Sequence, residues 1–174
     1  MRPVVRIALA WMVGVLACGA ASADIGYNGW GPRVGVADDP DQVIVGAHWD
    51  LGEFTENLRF QPSAEVGFGD DANAFLGNAM VAWYFKTKGK IQPYAGGQVV
   101  LGWFDPDEGE SDTEIGGSPV GGIEMTLKGG SRFLAEIQFG FGDIHDAKVM
   151  VGWTFGGPKP EPAVPPPPAP SEVP

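Results

Sequence analysis

Apolar side chains alternate with polar residues or glycine in eight segments of this chain, and no other feature restricts its fold as strongly. In residues 132–141, RFLAEIQFGF, large apolar side chains occupy nearly every second position. Successive side chains of a β-strand point to opposite faces, so this pattern predicts strands with two unlike faces. The eight predicted strands cover residues 30–37, 42–51, 57–69, 74–86, 90–104, 114–127, 132–141 and 146–155.

Beyond its first 23 residues the chain carries no competing helical pattern. No segment there keeps an apolar period of about 3.6 residues, and none approaches the roughly 18 consecutive apolar residues of a transmembrane helix. Strands of this length suit a tilted bilayer crossing of about 9–11 residues, and bacterial membrane barrels have an even number of strands. The predicted fold class is therefore all-β: an eight-stranded antiparallel up-and-down transmembrane β-barrel with a disordered Pro-rich C-terminal tail.

The polar face of these strands carries mixed charges and amides spaced by glycine, of which the chain has 27. Such a face suits a narrow lumen in which opposite charges pair across the barrel axis, while the apolar face contacts lipid. An exported soluble barrel with its apolar face around a lipophilic ligand would alternate in the same way, and it is kept as an alternative. We predict a lumen polar network in which four bases pair with four acids beside one histidine: Arg33, His48, Asp50, Arg59, Glu65, Glu124, Arg132, Glu136 and Lys148.

Aromatic residues and link charges both favour the membrane arrangement. Aromatic side chains of the apolar face lie near the predicted strand ends, as in the girdles at the two membrane interfaces. Alternate links of an up-and-down barrel lie at opposite ends, so links of like charge define a rim. The acidic links are 38–41, 70–71, 105–114 and 143–146; of the others, 86–90 and 128–132 are basic, and 51–57 departs from the pattern with two glutamates.

The two termini read as segments outside the barrel, which is predicted to span residues 24–157. Residues 1–23 combine two arginines, a short apolar stretch and an Ala-Ser-Ala cleavage site, the signature of a secretory signal peptide. Cys18 is either an apolar member of that segment, removed with it, or a lipidated cysteine. Residues 158–174 are rich in proline, which predicts an extended tail that is either a solvated spacer or a ligand for a periplasmic partner.

The charge of the chain limits its partners. Its 11 basic and 22 acidic side chains give a net charge of −11, which argues against nucleic acid, since the phosphates would repel the chain. With one cysteine, the chain cannot form a disulfide framework of its own.

The pattern as a whole resembles the OmpA-like and OmpX-like eight-stranded outer-membrane barrels, over about residues 24–157. The last strand resembles the C-terminal signal that the outer-membrane barrel assembly machinery reads, carried by Val149, Val151, Trp153 and Phe155. The resemblance implies a location in the outer membrane, contact with its lipids and lipopolysaccharide, and an outward-facing acidic rim. It also implies that the N-terminus and the tail are periplasmic.

Residues that carry chemistry are sparse. Residues 105–114 loosely match a calcium loop but lack its complete ligand pattern. A nucleophile would need a base held by an acid, whereas Ser118 lies on a different predicted strand from His48, and His145 lies in a link. We therefore expect no catalysis, cofactor or metal. The leading hypothesis is a small outer-membrane barrel with a structural or surface-interaction role, and a narrow channel for ions or small solutes is the alternative.

Overall fold

Eight antiparallel strands form a closed barrel in the computed structural model, which describes residues 24–38, 41–69, 72–106, 112–142, 144 and 146–156. Each strand pairs with the next one in the chain, and β1 also pairs with β8 to close the barrel. The strands are β1 Asp24–Asp38, β2 Gln42–Thr55, β3 Leu58–Phe68, β4 Ala72–Tyr84, β5 Ile91–Pro106, β6 Asp112–Thr126, β7 Arg132–Phe139 and β8 Ala147–Thr154. The predicted all-β, up-and-down barrel is thereby confirmed.

The predicted link 51–57 is wrong, because β2 continues to Thr55 and leaves a two-residue turn, Glu56-Asn57. Asn57 adopts a φ of 69°, in the left-handed region that asparagine tolerates better than most residues. Its backbone N–H donates to Glu53 Oε2 over 2.9 Å, which further fixes the turn. A tight hairpin therefore replaces the longer link expected from its polar residues.

The first strand also begins earlier than the sequence predicts, at Asp24 rather than at residue 30. The pairing of β1 with β2 shifts register between Ile25 and Gly29, and Gly29 has a φ of 134°. An irregular strand of this kind loses the strict alternation that made the other strands recognisable.

The apolar face of the strands lies outside the barrel. Val36, Val43 and Leu101 are each more than half exposed, whereas the neighbouring inward residues Ala37 and Ile44 are buried. The alternative of a soluble barrel with its apolar face turned inward is therefore wrong for the described residues. In the described part of the chain, no helix has the length and apolar character needed to span a membrane.

Glycines of the inner face make room for large side chains. A Cβ at position 122 would lie 2.5 Å from Tyr94 Cζ, closer than two carbon atoms can approach. Gly122 therefore permits the Tyr94 ring to lie across the inner face of β6.

The predicted signal peptide, residues 1–23, and the predicted Pro-rich tail, residues 158–174, lie outside the described residues.

Candidate functional site

The interior of the barrel contains a chain of buried ion pairs, which we call the central network: Arg33, Glu65, Glu136 and Lys148. Arg33 Nε lies 3.2 Å from Glu65 Oε1, and an NH2 group of Arg33 donates to Glu136 Oε1. Lys148 Nζ donates to the other oxygen of Glu65 over 2.8 Å. Each of these side chains is at most 3% exposed. Four strands, β1, β3, β7 and β8, are thereby tied together through charges that water does not reach.

Neutral polar groups complete the coordination of these carboxylates. The Tyr94 hydroxyl donates to Glu136 Oε2 over 2.7 Å, and Gln138 Nε2 donates to Glu136 Oε1 over 2.6 Å. Ser63 Oγ donates to Glu65 Oε1 over 3.0 Å. A buried charge is tolerated when a partner charge and hydrogen bonds satisfy it, and here both glutamates have both.

A second group of ion pairs lies nearer the end of the barrel that holds the turns 56–57, 85–90 and 127–131. Arg132 Nη1 donates to Asp50 Oδ2 over 2.7 Å and to Glu124 Oε2 over 3.4 Å. Arg59 Nη1 donates to Glu124 Oε1 over 3.0 Å. The Arg132 and Arg59 side chains are 14% and 17% exposed, so this group, unlike the central network, is reached by water.

An apolar cluster occupies the interior towards the other end of the barrel, which carries the acidic links. Its members include side chains from inward positions of several strands and one residue of the β7–β8 link: Ala37, Ile44, Ala74, Leu76, Val100, Ile144 and Met150, with Phe104 packed against them. The sequence prediction of a polar inner face missed this cluster. Isoleucine, leucine and valine at inward positions were the available signal, but the glycines and charges around them obscured it.

All nine residues predicted for the lumen face inward, and the structure brings the four bases and four acids into ion pairs with one another. His48 makes a hydrogen bond with Thr154, with 2.8 Å between Nε2 and Oγ1, and is 1% exposed. Glu53 joins them through Arg59, with 3.4 Å between Arg59 Nε and Glu53 Oε1. Glu53 was not predicted for the lumen because the polar segment 51–57 reads as a link in the sequence.

The residues of the predicted assembly signal lie on the outward face of β8 and just beyond it. Val149, Trp153 and Phe155 are 49%, 38% and 46% exposed. Phe155 exchanges two backbone hydrogen bonds with Trp30, so contact with β1 continues one residue beyond the end of β8. Whether this strand is read during assembly stays a prediction.

The outer surface has aromatic residues towards both ends. Nearer the acidic end lie Phe68, Phe75, Trp103, Phe139 and Phe141, and nearer the other end lie Trp30, Trp83, Phe85, Trp153 and Phe155. Phe75 and Trp83 are eight residues apart on β4, which corresponds to roughly 20 Å along the axis of a barrel with typically tilted strands. An apolar band edged by aromatics at this spacing matches the hydrocarbon region that membrane barrels span.

The described residues show no group of three or more His, Cys, Asp or Glu side chains placed to hold a metal ion. The predicted calcium-like link 105–114 and His145 fall partly or wholly outside the described residues. His48 and Ser118 are both buried, and the hydrogen-bond partner of the His48 ring is Thr154.

A closed eight-stranded barrel with an apolar exterior and a salt-bridged interior defines the class of small outer-membrane barrels. The Neisserial surface protein A has this fold: it superposes with a TM-score of 0.57 over 74% of this chain and 93% of its own, at 14% sequence identity. Ail, the attachment invasion locus protein of Yersinia pestis, superposes with a TM-score of 0.51 over 74% of this chain and 95% of its own, at 12% identity.

These likenesses confirm the predicted resemblance to eight-stranded, OmpX-like outer-membrane barrels at the level of the fold. Comparisons of the sequence with the models of known protein families and with curated proteins find no match.

Proposed function

We propose that this protein is an integral outer-membrane barrel, exported by residues 1–23, that acts through its lipid-embedded body and its exposed rims without catalysis. The observation that carries the proposal is the placement of the two faces. Large apolar side chains cover the outside of the barrel, and four bases and four acids are paired inside it. An apolar surface around the whole barrel supports contact with lipid, since monomeric soluble proteins rarely expose large contiguous apolar patches.

The filled interior supports a non-conducting barrel. An eight-stranded barrel is just wide enough for side chains to fill, and here the central network and the apolar cluster occupy the inside. The side chains of Lys148, Ile44, Val100 and Met150 have no solvent exposure. An ion that crossed this interior would have to separate buried ion pairs, which argues against the alternative of a narrow channel.

The proposed role is structural or one of surface interaction. One similar structure is named as a surface protein and the other as the product of an attachment invasion locus, and these names support a surface role for the same fold. By resemblance, the acidic end faces outward and meets the lipopolysaccharide layer, and the barrel assembly machinery inserts the chain.

Cell fractionation of the full chain, followed by gels of boiled and unboiled samples, tests the proposal. We expect the protein in the outer-membrane fraction, with a mobility that changes on boiling. A soluble periplasmic protein without a heat shift would contradict membrane insertion.

A matched pair of variants tests the outer apolar face. Val99 faces outward near the middle of β5, and Asp41 lies in an exposed link. We expect V99K to lower the yield of the heat-resistant form, because a lysine on the lipid face costs about 2–4 kcal/mol at the bilayer midplane. D41K should leave that yield unchanged.

Separately, purified protein in planar bilayers should give no single-channel currents, and regular conductance steps would favour the channel alternative.

A further inference from the structure

We infer that the end of the barrel opposite the acidic rim is a contact surface for anionic phospholipid headgroups, formed by Lys88, Lys90 and Lys128. The inference rests on the proposed membrane insertion and adds a lipid preference to it. The three lysines are exposed and lie in the turns that follow β4 and β6. Within the described part of the chain, none of the three ammonium groups has an ion-pair partner.

The fold brings these lysines onto one surface. The backbone N–H of Thr126 donates to the Lys90 carbonyl over 3.0 Å, so the turn that holds Lys90 lies beside the one that holds Lys128. Lys86, in the same turn as Lys88, pairs with Glu56 of the β2–β3 turn. That pairing neutralises Lys86 and leaves the other three charges available.

The neighbouring apolar residues indicate how deep in the membrane this surface lies. Phe85 and Ile91 flank the lysine-bearing turn, and they are 49% and 48% exposed on the outside of the barrel. Trp83 lies two residues before Phe85 and is 46% exposed. Aromatic side chains of membrane barrels lie at the interface with the headgroups, so lysines in the turn directly beyond Phe85, and in the turn beside it, lie at the level of the lipid phosphates.

Charge complementarity identifies the occupant. An ammonium group close to an anionic membrane surface is attracted to it, so these lysines favour acidic over zwitterionic lipid. The opposite rim of the barrel carries exposed aspartates, including Asp41, Asp105 and Asp146, and cannot make the same contact. The barrel is thus electrically asymmetric across the bilayer, and only one of its ends suits a leaflet rich in acidic phospholipid.

Lipid selectivity of the folded full chain tests the inference. The protein is refolded into vesicles of phosphatidylcholine, with and without one part in four of phosphatidylglycerol, and insertion is checked by heat-dependent gel mobility. Electron paramagnetic resonance then compares the association of spin-labelled phosphatidylglycerol and phosphatidylcholine with the barrel. We expect a several-fold preference for phosphatidylglycerol that salt weakens, because ions screen exposed charges.

Two triple variants of equal size sharpen the test. K88Q/K90Q/K128Q should insert normally and lose the preference, whereas D41N/D105N/D146N should insert normally and keep it. Normal insertion without any preference in the unmodified protein, or a preference that survives in the lysine variant, would overturn the inference. Failure to insert into either type of vesicle would instead contradict the proposed membrane location. The acidic residues of the Pro-rich tail, Glu161 and Glu172, are the other candidate partners of these lysines. If the preference for phosphatidylglycerol appears only in E161Q/E172Q, the tail occupies the lysine surface, and the inference is overturned.

Discussion

The central network and the apolar cluster both lie inside the barrel, and β1 and β8 contribute to each of them, yet they stabilise the barrel in different ways. On β8, inward Met150 joins the apolar cluster, whereas inward Lys148, two residues earlier, donates to Glu65 in the central network. The apolar cluster depends on how well its side chains fill the space, and a substitution of similar volume is tolerated there. The central network depends on particular pairs, and removal of one member leaves its partner charged and buried. Inward orientation therefore decides whether a side chain is buried, whereas its chemistry decides which substitutions it tolerates.

The largest effect is expected from R33M, which removes the one cation paired with Glu136 in the central network. Glu136 would keep its hydrogen bonds from Tyr94 and Gln138 but would have no positive partner. We expect the free energy of unfolding to fall by about 3–5 kcal/mol. Equilibrium unfolding by guanidinium chloride from lipid vesicles, followed by tryptophan fluorescence, measures this change.

The matched control is R33M/E136Q, which removes both charges of the pair. It should recover a large part of the lost stability, because no unpaired carboxylate remains. If R33M alone costs less than about 1 kcal/mol, the central network does not depend on this pair, and its distinction from the apolar cluster fails.

A smaller effect is expected from L76A in the apolar cluster. Leu76 is 3% exposed, and its truncation leaves a cavity that costs about 2–4 kcal/mol. L76M should cost less than about 1.5 kcal/mol, since it conserves volume. The same unfolding measurement applies to both variants. Equal losses for L76A and L76M would show that this cluster is as specific as the central network.

The smallest effect is expected from E56Q, in the turn between β2 and β3. Lys86 lowers the pKa of the Glu56 carboxyl, first through its hydrogen bond and then through its charge. A lowered pKa means that the pair stabilises the folded state above the ordinary pKa of the carboxyl and loses this effect as pH falls. Both side chains are largely exposed, at 68% and 77%, so water screens the pair.

We therefore expect E56Q to leave the unfolding midpoint at neutral pH unchanged within error. A clear loss of stability would show that this exposed pair stabilises the fold as the buried pairs of the central network do. K86Q is the matched change on the other side of the pair and should behave in the same way.

The strand pattern of the sequence predicted most of the fold, because period-two alternation depends only on the geometry of an extended chain. It failed where that geometry is irregular. The glycine-interrupted start of β1 was left out of the predicted strand, and the end of β2, residues 52–55, was assigned to a link. The rim charges were readable as well, since alternate links must lie at opposite ends of an up-and-down barrel.

The sequence predicted which charged residues face the interior, but it did not predict how they are arranged there. The sequence identified inward bases and acids because they occupy the face opposite to the apolar one. It did not identify Glu53, and it did not reveal the apolar cluster near the acidic end. Membership of that cluster depends on the tilt and stagger of neighbouring strands, which set which inward residues share a level of the barrel.

The sequence alone shows which residues of each strand share a face, since successive side chains of an extended chain point to opposite sides. The tertiary structure alone decided which charges meet. Arg33 and Glu136 are 103 residues apart, and Lys148 and Glu65 are 83 apart, so only closure of the barrel brings them together. Side-chain alternation depends only on the backbone geometry of neighbouring residues. The choice of partner across the lumen depends on the register of all eight strands at once.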